Sequence, residues 1–454
     1  MALYRLDEQV VRQFPKDFMF GTATAAYQIE GAADEEGRGR SIWDVFSETP
    51  GKTHNGDHGK IAIDHYHRFQ DDIQLMKELG IQNYRFSFSW PRLFPQGNEQ
   101  RNPLGFAFYD RLIDELIKND IKPMATLYHW DLPAVLQDDG GWENRETAYR
   151  FATYADAIYQ HFGDRIEKWI THNEPWCVSV LGNLTGEHAP GYQSAKKALT
   201  VAHHVLLSHG LAVEKFRQGG YKGEIGITLN LSPFYAQNPG TLDDVAQRNS
   251  DVFTNRWFLD PIFKGEYPTE LHQILGPVEA MIHEGDLDKM SLPIDFLGIN
   301  YYMPAIVAFE EDGNPLKAKN VTPRDRLTSM GWPVSGEGLR DLLLMIKNEY
   351  GSIPLYITEN GAAYDDVLEG DHVHDEERIH YLYDHLVEAA AAISQGVNLK
   401  GYFVWSFIDN FEWAYGYEKR FGIVYCDYAT LRRIKKDSAF WYHDLIRLHQ
   451  DLQY

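Results

Sequence analysis

The chain has very little cysteine. Its 454 residues include only two, Cys177 and Cys426. Two cysteines cannot build the disulfide framework on which many small secreted proteins depend. The N-terminal segment is charged throughout and has no apolar centre of the kind found in a signal peptide. These two absences favour a cytoplasmic protein in which both thiols are reduced.

Long apolar runs are missing too. No stretch of the sequence approaches the ~18 consecutive apolar residues of a membrane-spanning helix. The net charge is −23 with histidine neutral, and a field of that sign repels nucleic acid and anionic membrane surfaces. The sequence therefore predicts neither a nucleic-acid partner nor a membrane partner, and it leaves the oligomeric state open.

Two kinds of motif are also absent. No G-x-G-x-x-G or Walker A pattern occurs, which disfavours a doubly wound nucleotide-binding sheet. Histidines occur in close pairs, such as His65 with His67 and His203 with His204, but never as H-E-x-x-H. In a helix, residues two apart do not share a face. We therefore expect no metal and no cofactor, and a metal-dependent hydrolase is the less favoured mechanism.

Short apolar runs, each followed by a longer segment, recur along the whole chain. Each run ends in polar or aromatic residues, and several are rich in aromatic or β-branched side chains, as is typical of buried strands. The runs are 18–23, 84–89, 123–128, 169–173, 225–230, 296–301, 355–358 and 402–407.

The segments between the runs have the period of amphipathic helices. Apolar residues within 66–79 fall on one helical face, and Gly80 supplies a stop. A second such face lies within 148–162, with Asn144 as the candidate N-cap and Gly163 as the stop. Strands and helices in this alternation indicate an α/β fold with a closed parallel barrel.

The length of the chain bears on its domain organisation. A bare (β/α)8 barrel needs only ~250 residues, so either one barrel with long loops or two ordinary domains would fit. No Pro/Ser-rich linker or charge run marks a boundary. We therefore predict a single (β/α)8 TIM barrel, one catalytic domain over residues 1–454, with long loops after the strands.

The ends of the predicted strands are unusually polar and aromatic. In a barrel of this kind the chemistry lies where the strands give way to the following loops. Tryptophan beside carboxylates and amides suits a sugar, which has apolar C–H faces and a rim of hydroxyls. Any single tryptophan is more often part of a core, but the convergence of so many such ends favours a sugar site. The side chains are Gln28, Arg85, His129, Trp130, Asn173, Glu174, Asn300, Tyr302, Glu359, Trp405, Glu412 and Trp413.

Two carboxylates stand out among these side chains, Glu174 and Glu359. They lie far apart in the sequence, yet a barrel brings the ends of its fourth and seventh strands to one pocket. Hydrolysis of a glycosidic bond needs a proton for the leaving oxygen, and either a nucleophile or an activated water on the other face. Carboxyl groups about 5–5.5 Å apart give retention of configuration, and a wider gap gives inversion. A lone glutamate would more often be a salt-bridged structural residue. The residues around Glu174 and Glu359 therefore decide between a structural and a catalytic role.

Those surrounding residues resemble the two signature motifs of glycoside hydrolase family 1, the β-glucosidase family. The motifs are Thr-His-Asn-Glu-Pro at 171–175 and Ile-Thr-Glu-Asn-Gly at 357–361. The resemblance extends to Phe-Gly-Thr-Ala-Thr-Ala-Ala-Tyr-Gln at 20–28 and to 405–413, and so covers essentially the whole chain. It implies a retaining β-glucosidase that acts by double displacement on terminal β-D-glucosyl residues of cellobiose, short β-glucosides and aryl β-glucosides. β-Galactosides and β-fucosides are further substrates that it implies.

The resemblance also implies a role for each candidate residue. Glu359 corresponds to the nucleophile and Glu174 to the acid/base, whose pKa the nearby charge of Glu359 would raise. Asn173 corresponds to the residue that holds the sugar 2-hydroxyl. The residues around the nucleophile are Arg85, Asn300 and Tyr302, and a cation and a phenol there would keep the nucleophile ionised. The sugar pocket comprises Gln28, His129, Trp130, Trp405, Glu412 and Trp413, with Phe421 at its border and Trp332 on the leaving-group side.

One position departs from the family pattern. His172 stands where many family members carry an apolar residue, and strand alternation predicts that it points away from the pocket.

Two alternatives to a β-glucosidase remain open. In the 6-phospho-β-glycosidases of the same family, position 412 is typically serine, followed by a lysine and a tyrosine that bind the phosphate. This chain has Glu412, Lys419 and Phe421, and a carboxylate would repel a phosphate, so the unphosphorylated sugar is favoured. A non-catalytic sugar-binding barrel would lack one of the two carboxylates, and both are present.

Overall fold

The structure, a computed structural model, describes residues 7–278, 281–312 and 314–452. Eight parallel strands close into a barrel, in which the first strand pairs with both the second and the last. The strands are β1 (Met19–Ala23), β2 (Asn83–Ser87), β3 (Lys122–Tyr128), β4 (Lys168–Asn173), β5 (Glu224–Asn230), β6 (Phe296–Asn300), β7 (Leu355–Asn360) and β8 (Leu399–Trp405).

Each predicted strand coincides with one strand of this barrel, which confirms the predicted fold. The largest difference lies in β8, which begins at Leu399 rather than at 402. Lys400 and Gly401 interrupt the apolar run in the sequence, yet Gly401 pairs with Tyr356 of β7. A side chain at position 401 would lie 2.9 Å from the Tyr356 ring, so glycine allows the two strands to approach.

Helices cover the barrel on the outside, and their apolar faces pack against the strands to form the core. The α-helices are Glu8–Val11, Ala26–Ile29, Ile42–Glu48, His65–Glu78, Trp90–Leu93, Pro103–Lys118, Ala134–Asp138, Glu146–Phe162, Ala195–Gly219, Asp243–Asp251, Trp257–Phe263, Leu271–Leu275, Asp286–Met290, Gly336–Tyr350, Glu376–Ser394 and Asp437–Leu452, with π-helical turns at Cys177–Thr185 and Val252–Arg256. Within the part of the chain described, no helix is both long enough and apolar enough to cross a membrane.

The first amphipathic helix is as predicted. His65–Glu78 buries Tyr66, Phe69 and Ile73 on one face. Gly80, two residues beyond its end, has a φ of +66°, a left-handed conformation that glycine adopts without steric cost and that commonly ends helices.

The second helix is confirmed except at its start. It covers Glu146–Phe162, and Gly163 is its C-cap, as predicted. The N-cap is Arg145, so the prediction of Asn144 as the N-cap was wrong. Asn144 lies one residue earlier, and its Oδ1 accepts a hydrogen bond of 3.0 Å from the N–H of Glu146. The side chain thus satisfies an end group of the helix from outside the cap position.

Long loops at the carboxyl ends of the strands carry additional short strands. Those after β5 and β6 form a three-stranded sheet, and that after β8 carries a hairpin. The sheet comprises Phe234–Ala236, Ala305–Phe309 and Ala318–Asn320; the hairpin is Val424–Asp427 with Arg432–Lys435, and a smaller pair, Leu368–Glu369 with His372–Val373, follows β7.

Candidate active site

A cavity of about 460 Å³ lies at the carboxyl ends of the strands. Most of the predicted site residues line it, and they come from the ends of β3, β4, β6, β7 and β8 and from the loops after β6 and β8. The predicted residues that line the cavity are His129, Trp130, Glu174, Asn300, Tyr302, Trp332, Glu359, Trp405, Glu412, Trp413 and Phe421. The other three, Gln28, Arg85 and Asn173, are not among the lining residues and are fully buried.

Glu359, in β7, is held by two donors. Nη1 of Arg85 donates to its Oε1 across 2.6 Å, and the hydroxyl of Tyr302 donates to its Oε2 across 2.6 Å. Only 3% of Glu359 is exposed. Both carboxylate oxygens are therefore fixed, one by a cation and the other by a phenol.

Glu174 follows β4 and has a different pair of partners. Nδ2 of Asn300 donates to its Oε1 across 2.7 Å, and Sγ of Cys177 lies 3.0 Å from its Oε2. Neither partner carries a charge. The two carboxylates of the cavity thus differ in the one property that matters most for proton transfer, which is contact with a cation.

Asn173 connects the two carboxylates. Its Oδ1 accepts hydrogen bonds from Nη2 of Arg85 at 2.6 Å and from Nδ2 of Asn300 at 3.0 Å. Its amide nitrogen lies 3.0 Å from Nε2 of His129. Since Oδ1 is occupied by two donors, the amide nitrogen must donate to His129. The backbone carbonyl of Asn173 accepts a further hydrogen bond from the indole of Trp130 at 2.8 Å.

Three residues of the cavity adopt left-handed backbone conformations. The φ angles are +50° at Glu174, +81° at Trp130 and +49° at Trp413. Residues other than glycine rarely adopt such angles, and they persist where the surrounding structure holds them. In each case the side chain lines the cavity.

The acidities of the two carboxyls are shifted by their surroundings. Burial, and then the charge of Glu359, raise the pKa of Glu174 to about 7. Burial also raises the pKa of Glu359, while Arg85 and Tyr302 act in the opposite direction. The sequence identified these two partners of Glu359 correctly. It did not show that the effect of burial on the pKa outweighs theirs. A sequence lists neighbours along the chain and does not show how much water a folded pocket excludes.

The remaining polar groups of the pocket have unused hydrogen-bonding capacity. Nε2 of Gln28 donates to Asn410 at 3.1 Å and to the carbonyl of Phe411 at 2.7 Å. Within the described residues, the Oε1 of Gln28 and the Nδ1 of His129 are buried and have no partner. Burial and the charges of the other two carboxyls raise the pKa of Glu412 to about 8.

Aromatic rings form the apolar part of the cavity. His129 stacks against Trp405 and Trp413 with ring centroids 5.9 Å and 6.0 Å apart. On the other side, Tyr302 lies 5.3 Å from Trp332 and 6.1 Å from Phe421. Two groups of aromatic rings thus line the cavity that contains both carboxylates.

Several lining residues were not predicted from the sequence. They come from helices, loops and the additional short strands rather than from the ends of the barrel strands. They are Trp176, Cys177, Leu181, Glu187, His188, Phe234, Thr254, Asn320, Met330 and Tyr415. Of these, Cys177 could have been found, because it lies three residues after Glu174 at the start of a helical segment, a spacing that brings side chains together.

The histidines considered as metal ligands have protein partners instead. His65 bonds to Asp72, and His203 bonds to Asp286. Among residues 7–278, 281–312 and 314–452, no group of three or more His, Cys, Asp or Glu side chains is arranged to hold a metal ion. His172 bonds to Ser208 at 2.8 Å and packs against Phe151, so it points away from the cavity, as strand alternation predicts.

Comparisons with known proteins give a consistent result. The profile of Glycosyl hydrolase family 1 matches residues 10–451. The chain is 47% identical to beta-glucosidase A of Acetivibrio thermocellus, over 96% of this chain and 98% of the relative. It is 44% identical to the bifunctional beta-D-glucosidase/beta-D-fucosidase of Bifidobacterium breve, over 96% and 98%. The solved structure of the Thermotoga maritima beta-glucosidase in complex with glucoimidazole superposes with a TM-score of 0.93 at 46% identity, covering 96% of this chain and 99% of that one.

Proposed function

The chain belongs to glycosyl hydrolase family 1, and from that premise we propose that it is a retaining β-glucosidase. It removes terminal non-reducing β-D-glucosyl residues from cellobiose, other short β-glucosides and aryl β-glucosides. The observation that carries the proposal is the pair of buried carboxylates, Glu174 and Glu359, facing one cavity with different partners.

In the first step, Glu359 is the nucleophile. Its carboxylate attacks the anomeric carbon while the carboxylic acid of Glu174 gives its proton to the glycosidic oxygen. The bond from the anomeric carbon to the leaving oxygen breaks, and an ester bond to Glu359 forms. The leaving group departs as a neutral alcohol, and Glu174 is left as an anion.

In the second step, Glu174 is the base. It takes a proton from water, whose oxygen attacks the anomeric carbon of the glycosyl-enzyme. The ester bond breaks, Glu359 regains its negative charge and Glu174 regains its proton. Two inversions at the same carbon leave the product in the β-configuration.

The asymmetry of partners supports this assignment of roles. The guanidinium of Arg85 contacts Glu359 and not Glu174, so the charged form of Glu359 is the better stabilised of the two. With a pKa of about 7, Glu174 holds a proton at mildly acidic pH. When Glu359 becomes an ester, its charge is lost and the pKa of Glu174 falls, which suits the change from acid to base.

The sugar itself is bound by the groups with unused hydrogen-bonding capacity. Burial lowers the pKa of His129 well below its ordinary value, so its imidazole is neutral. Because Nε2 accepts from Asn173, the proton is on Nδ1 and is available to a sugar hydroxyl. Oε1 of Gln28 accepts from another hydroxyl. Asn173 contacts the 2-hydroxyl, where hydrogen bonds strengthen in the transition state.

The other pocket residues complete the sugar site. Glu412 bonds to further hydroxyls of the sugar. Trp130, Trp405 and Trp413 cover the apolar faces of the ring, and Phe421 borders this site. Trp332 lies on the leaving-group side. β-Galactosides and β-fucosides are also substrates, a proposal that the bifunctional name of the Bifidobacterium relative supports.

The 6-phospho-β-glucosidase alternative has less support. Lys419, the one side chain shared with that subgroup, donates to Glu418 at 2.8 Å. Glu174, Glu359 and Glu412 line the same cavity, and those that are ionised repel a phosphate dianion. A non-catalytic sugar-binding barrel is disfavoured because both carboxylates are present and both have ordered partners.

The remaining proposals concern the domain organisation, the location, the partners and the cofactor requirement of the protein. The chain acts as one catalytic domain over residues 1–454 in the cytoplasm, on small glycosides rather than on nucleic acid or membranes. It needs no cofactor, since the two carboxyls supply the nucleophile and the proton that the reaction requires.

The experiment that tests the proposed function compares substrates and stereochemistry. We expect kcat/KM to be highest for an aryl β-glucoside, measurable for the β-galactoside and β-fucoside, and lowest for the 6-phospho-β-glucoside. Proton NMR of the first product should show the β-anomer before mutarotation. Release of the α-anomer first would rule out a retaining mechanism, and turnover of the phosphorylated substrate alone would favour the alternative.

A further inference from the structure

Cys177 lies against the predicted acid/base. Its Sγ is 3.0 Å from Oε2 of Glu174. It begins the π-helical turn Cys177–Thr185, and its backbone N–H donates to the carbonyl of Glu174 at 2.9 Å. The thiol also lines the cavity, with only 7% of the residue exposed. It is thus in direct contact with a group that exchanges a proton in both steps of the proposed reaction.

The thiol is the donor in this contact. Burial, followed by the negative charge of Glu174, raises the pKa of Cys177 well above its ordinary value. The sulfur therefore keeps its proton across the pH range in which the enzyme works. An S–H group is a weak donor, and the carboxylate oxygen accepts.

The other oxygen of Glu174 is held differently. Oε1 accepts from Nδ2 of Asn300 at 2.7 Å. That amide cannot turn over, because its Nδ2 also donates at 3.0 Å to Oδ1 of Asn173, which accepts from Arg85 as well. A thiol can rotate its proton away, whereas this fixed amide cannot. The acid proton therefore belongs on Oε2, beside Cys177.

We infer that Cys177 is a positioning residue for the proton transfer: its S–H donates to Oε2 when Glu174 is an anion and turns away when Oε2 carries the acid proton. This inference rests on the proposed role of Glu174 as the acid/base. A donor to the charged form favours that form and lowers the pKa. Cys177 thus offsets part of the effect of burial, and Glu174 gives up and regains its proton at a lower pH than it otherwise would.

Other groups also act on this contact and must stay constant in any test. Those that face Glu174 and Cys177 from the surrounding elements are Arg85, His129, Glu187, His188, Tyr302, Glu359 and Glu412. None of them is changed by a substitution at position 177.

The test measures how kcat/KM depends on pH in variants of the two cysteines. In Cys177→Ala the alkaline limb, which reports loss of the acid proton, should move upward by about 0.5 pH unit, the effect of losing one weak donor to a charged group. Cys177→Ser keeps a donor and should stay at or below the wild-type value. Cys426→Ala, at the other cysteine, should leave the limb unchanged.

The leaving group provides an internal control. The shift should appear with an aryl glucoside whose leaving group is poor and needs the proton. It should be absent with a 2,4-dinitrophenyl glucoside, whose leaving group departs without protonation. If Cys177→Ala is too unstable to purify, Cys177→Val fills similar space without a donor. In the wild type itself, the infrared S–H stretch of Cys177 should fall in frequency as Glu174 ionises, and Cys426→Ala assigns the band.

Two kinetic results would overturn the inference: an unchanged alkaline limb in both Cys177→Ala and Cys177→Val, or a downward shift that makes the sulfur an acceptor from the protonated acid. An S–H stretch that does not respond to pH would do the same. Failure of the proposed function looks different, because a Glu174 variant would then keep its activity towards poor leaving groups in every cysteine background.

Discussion

Arg85 donates from Nη1 to Oε1 of Glu359 across 2.6 Å, in a contact of which 0% of the arginine side chain and 4% of the glutamate side chain are exposed. The same guanidinium donates from Nη2 to Asn173 at 2.6 Å. One planar group thus fixes the spacing between β7, which carries the proposed nucleophile, and the end of β4, which precedes the proposed acid/base. A lysine could supply the charge but not both directed bonds.

The first prediction concerns the two hydrogen bonds that the Arg85 guanidinium donates. Arg85→Lys should lower kcat/KM on the order of 10²–10³-fold, because a buried charge pair loses its geometry. Less stabilisation of the anion raises the pKa of Glu359, so the acid limb of the kcat/KM profile should move to higher pH. An Arg85→Lys enzyme with an unchanged acid limb would show that Arg85 does not tune the nucleophile.

The second prediction concerns the roles of the two carboxylates. With azide added, Glu174→Gly should form the β-glycosyl azide, because azide attacks the glycosyl-enzyme in place of water. Glu359→Gly should form the α-glycosyl azide, because azide replaces the nucleophile. Without azide, loss of the acid/base should reduce turnover of poor leaving groups by about 10²–10⁴-fold. NMR of the products distinguishes the two anomers, and the reverse pattern would exchange the roles.

The third prediction concerns pH. The pKa of about 7 at Glu174 places the alkaline limb of kcat/KM near neutrality, since above it the acid has lost its proton. The profile should be bell-shaped and should report the two carboxyls as a coupled pair. In an enzyme trapped as a fluoroglycosyl ester, the charge of Glu359 is gone, so the pKa of Glu174 should fall. Carbon-13 NMR of labelled glutamate measures this, and a pKa that did not fall would argue against charge repulsion.

The fourth prediction separates the two sugar classes. Glu412→Ser should reduce kcat/KM on the plain glucoside by about 10–100-fold, since hydrogen bonds to the sugar are lost. Above the Glu412 pKa of about 8, it should also raise the ratio of phosphorylated to unphosphorylated turnover, because the variant lacks the carboxylate that repels a phosphate there. If the variant lost nothing on the plain glucoside, Glu412 would have no part in binding it.

The fifth prediction concerns stability. The pKa of Glu412 is about 8 in the folded protein, against an ordinary value of 4.5. Between these values the folded state binds a proton that the unfolded state does not, so this residue makes stability fall as the pH rises through that window. Glu412→Gln should therefore raise Tm by roughly 1–3 °C at pH 8, with a smaller gain at pH 5. Glu418→Gln, at the surface nearby, should show no such pH-dependent gain.

The site could be predicted from the sequence where strand ends determine it. Glu174 and Glu359 were found because a parallel barrel places the carboxyl ends of all its strands on one face. Phe421 and Trp332 were found only by resemblance, since both lie in loops whose course no periodicity gives. Met330 and Glu187 were missed for the same reason.

Other features depend on three-dimensional packing. The balance of acidities at Glu359 was not predictable, because burial depends on the whole fold. Asn144 was one residue from the true cap, since its side chain can bond a helix end from either position. The contact between Cys177 and Glu174 was visible in principle from the helical spacing of the two residues.

The hydrogen bonds of Gln28 to Asn410 and Phe411 join residues separated by 382 and 383 positions. During synthesis, Gln28 therefore has neither of these hydrogen-bond partners until nearly the whole chain has left the ribosome. A fragment that ends before Asn410 has neither partner of Gln28 and lacks Trp413, and β1 has no partner on its other side until β8 has been made. The sugar pocket is consequently incomplete until the segment after β8 has been synthesised, and a product truncated before that segment lacks part of the glycoside site.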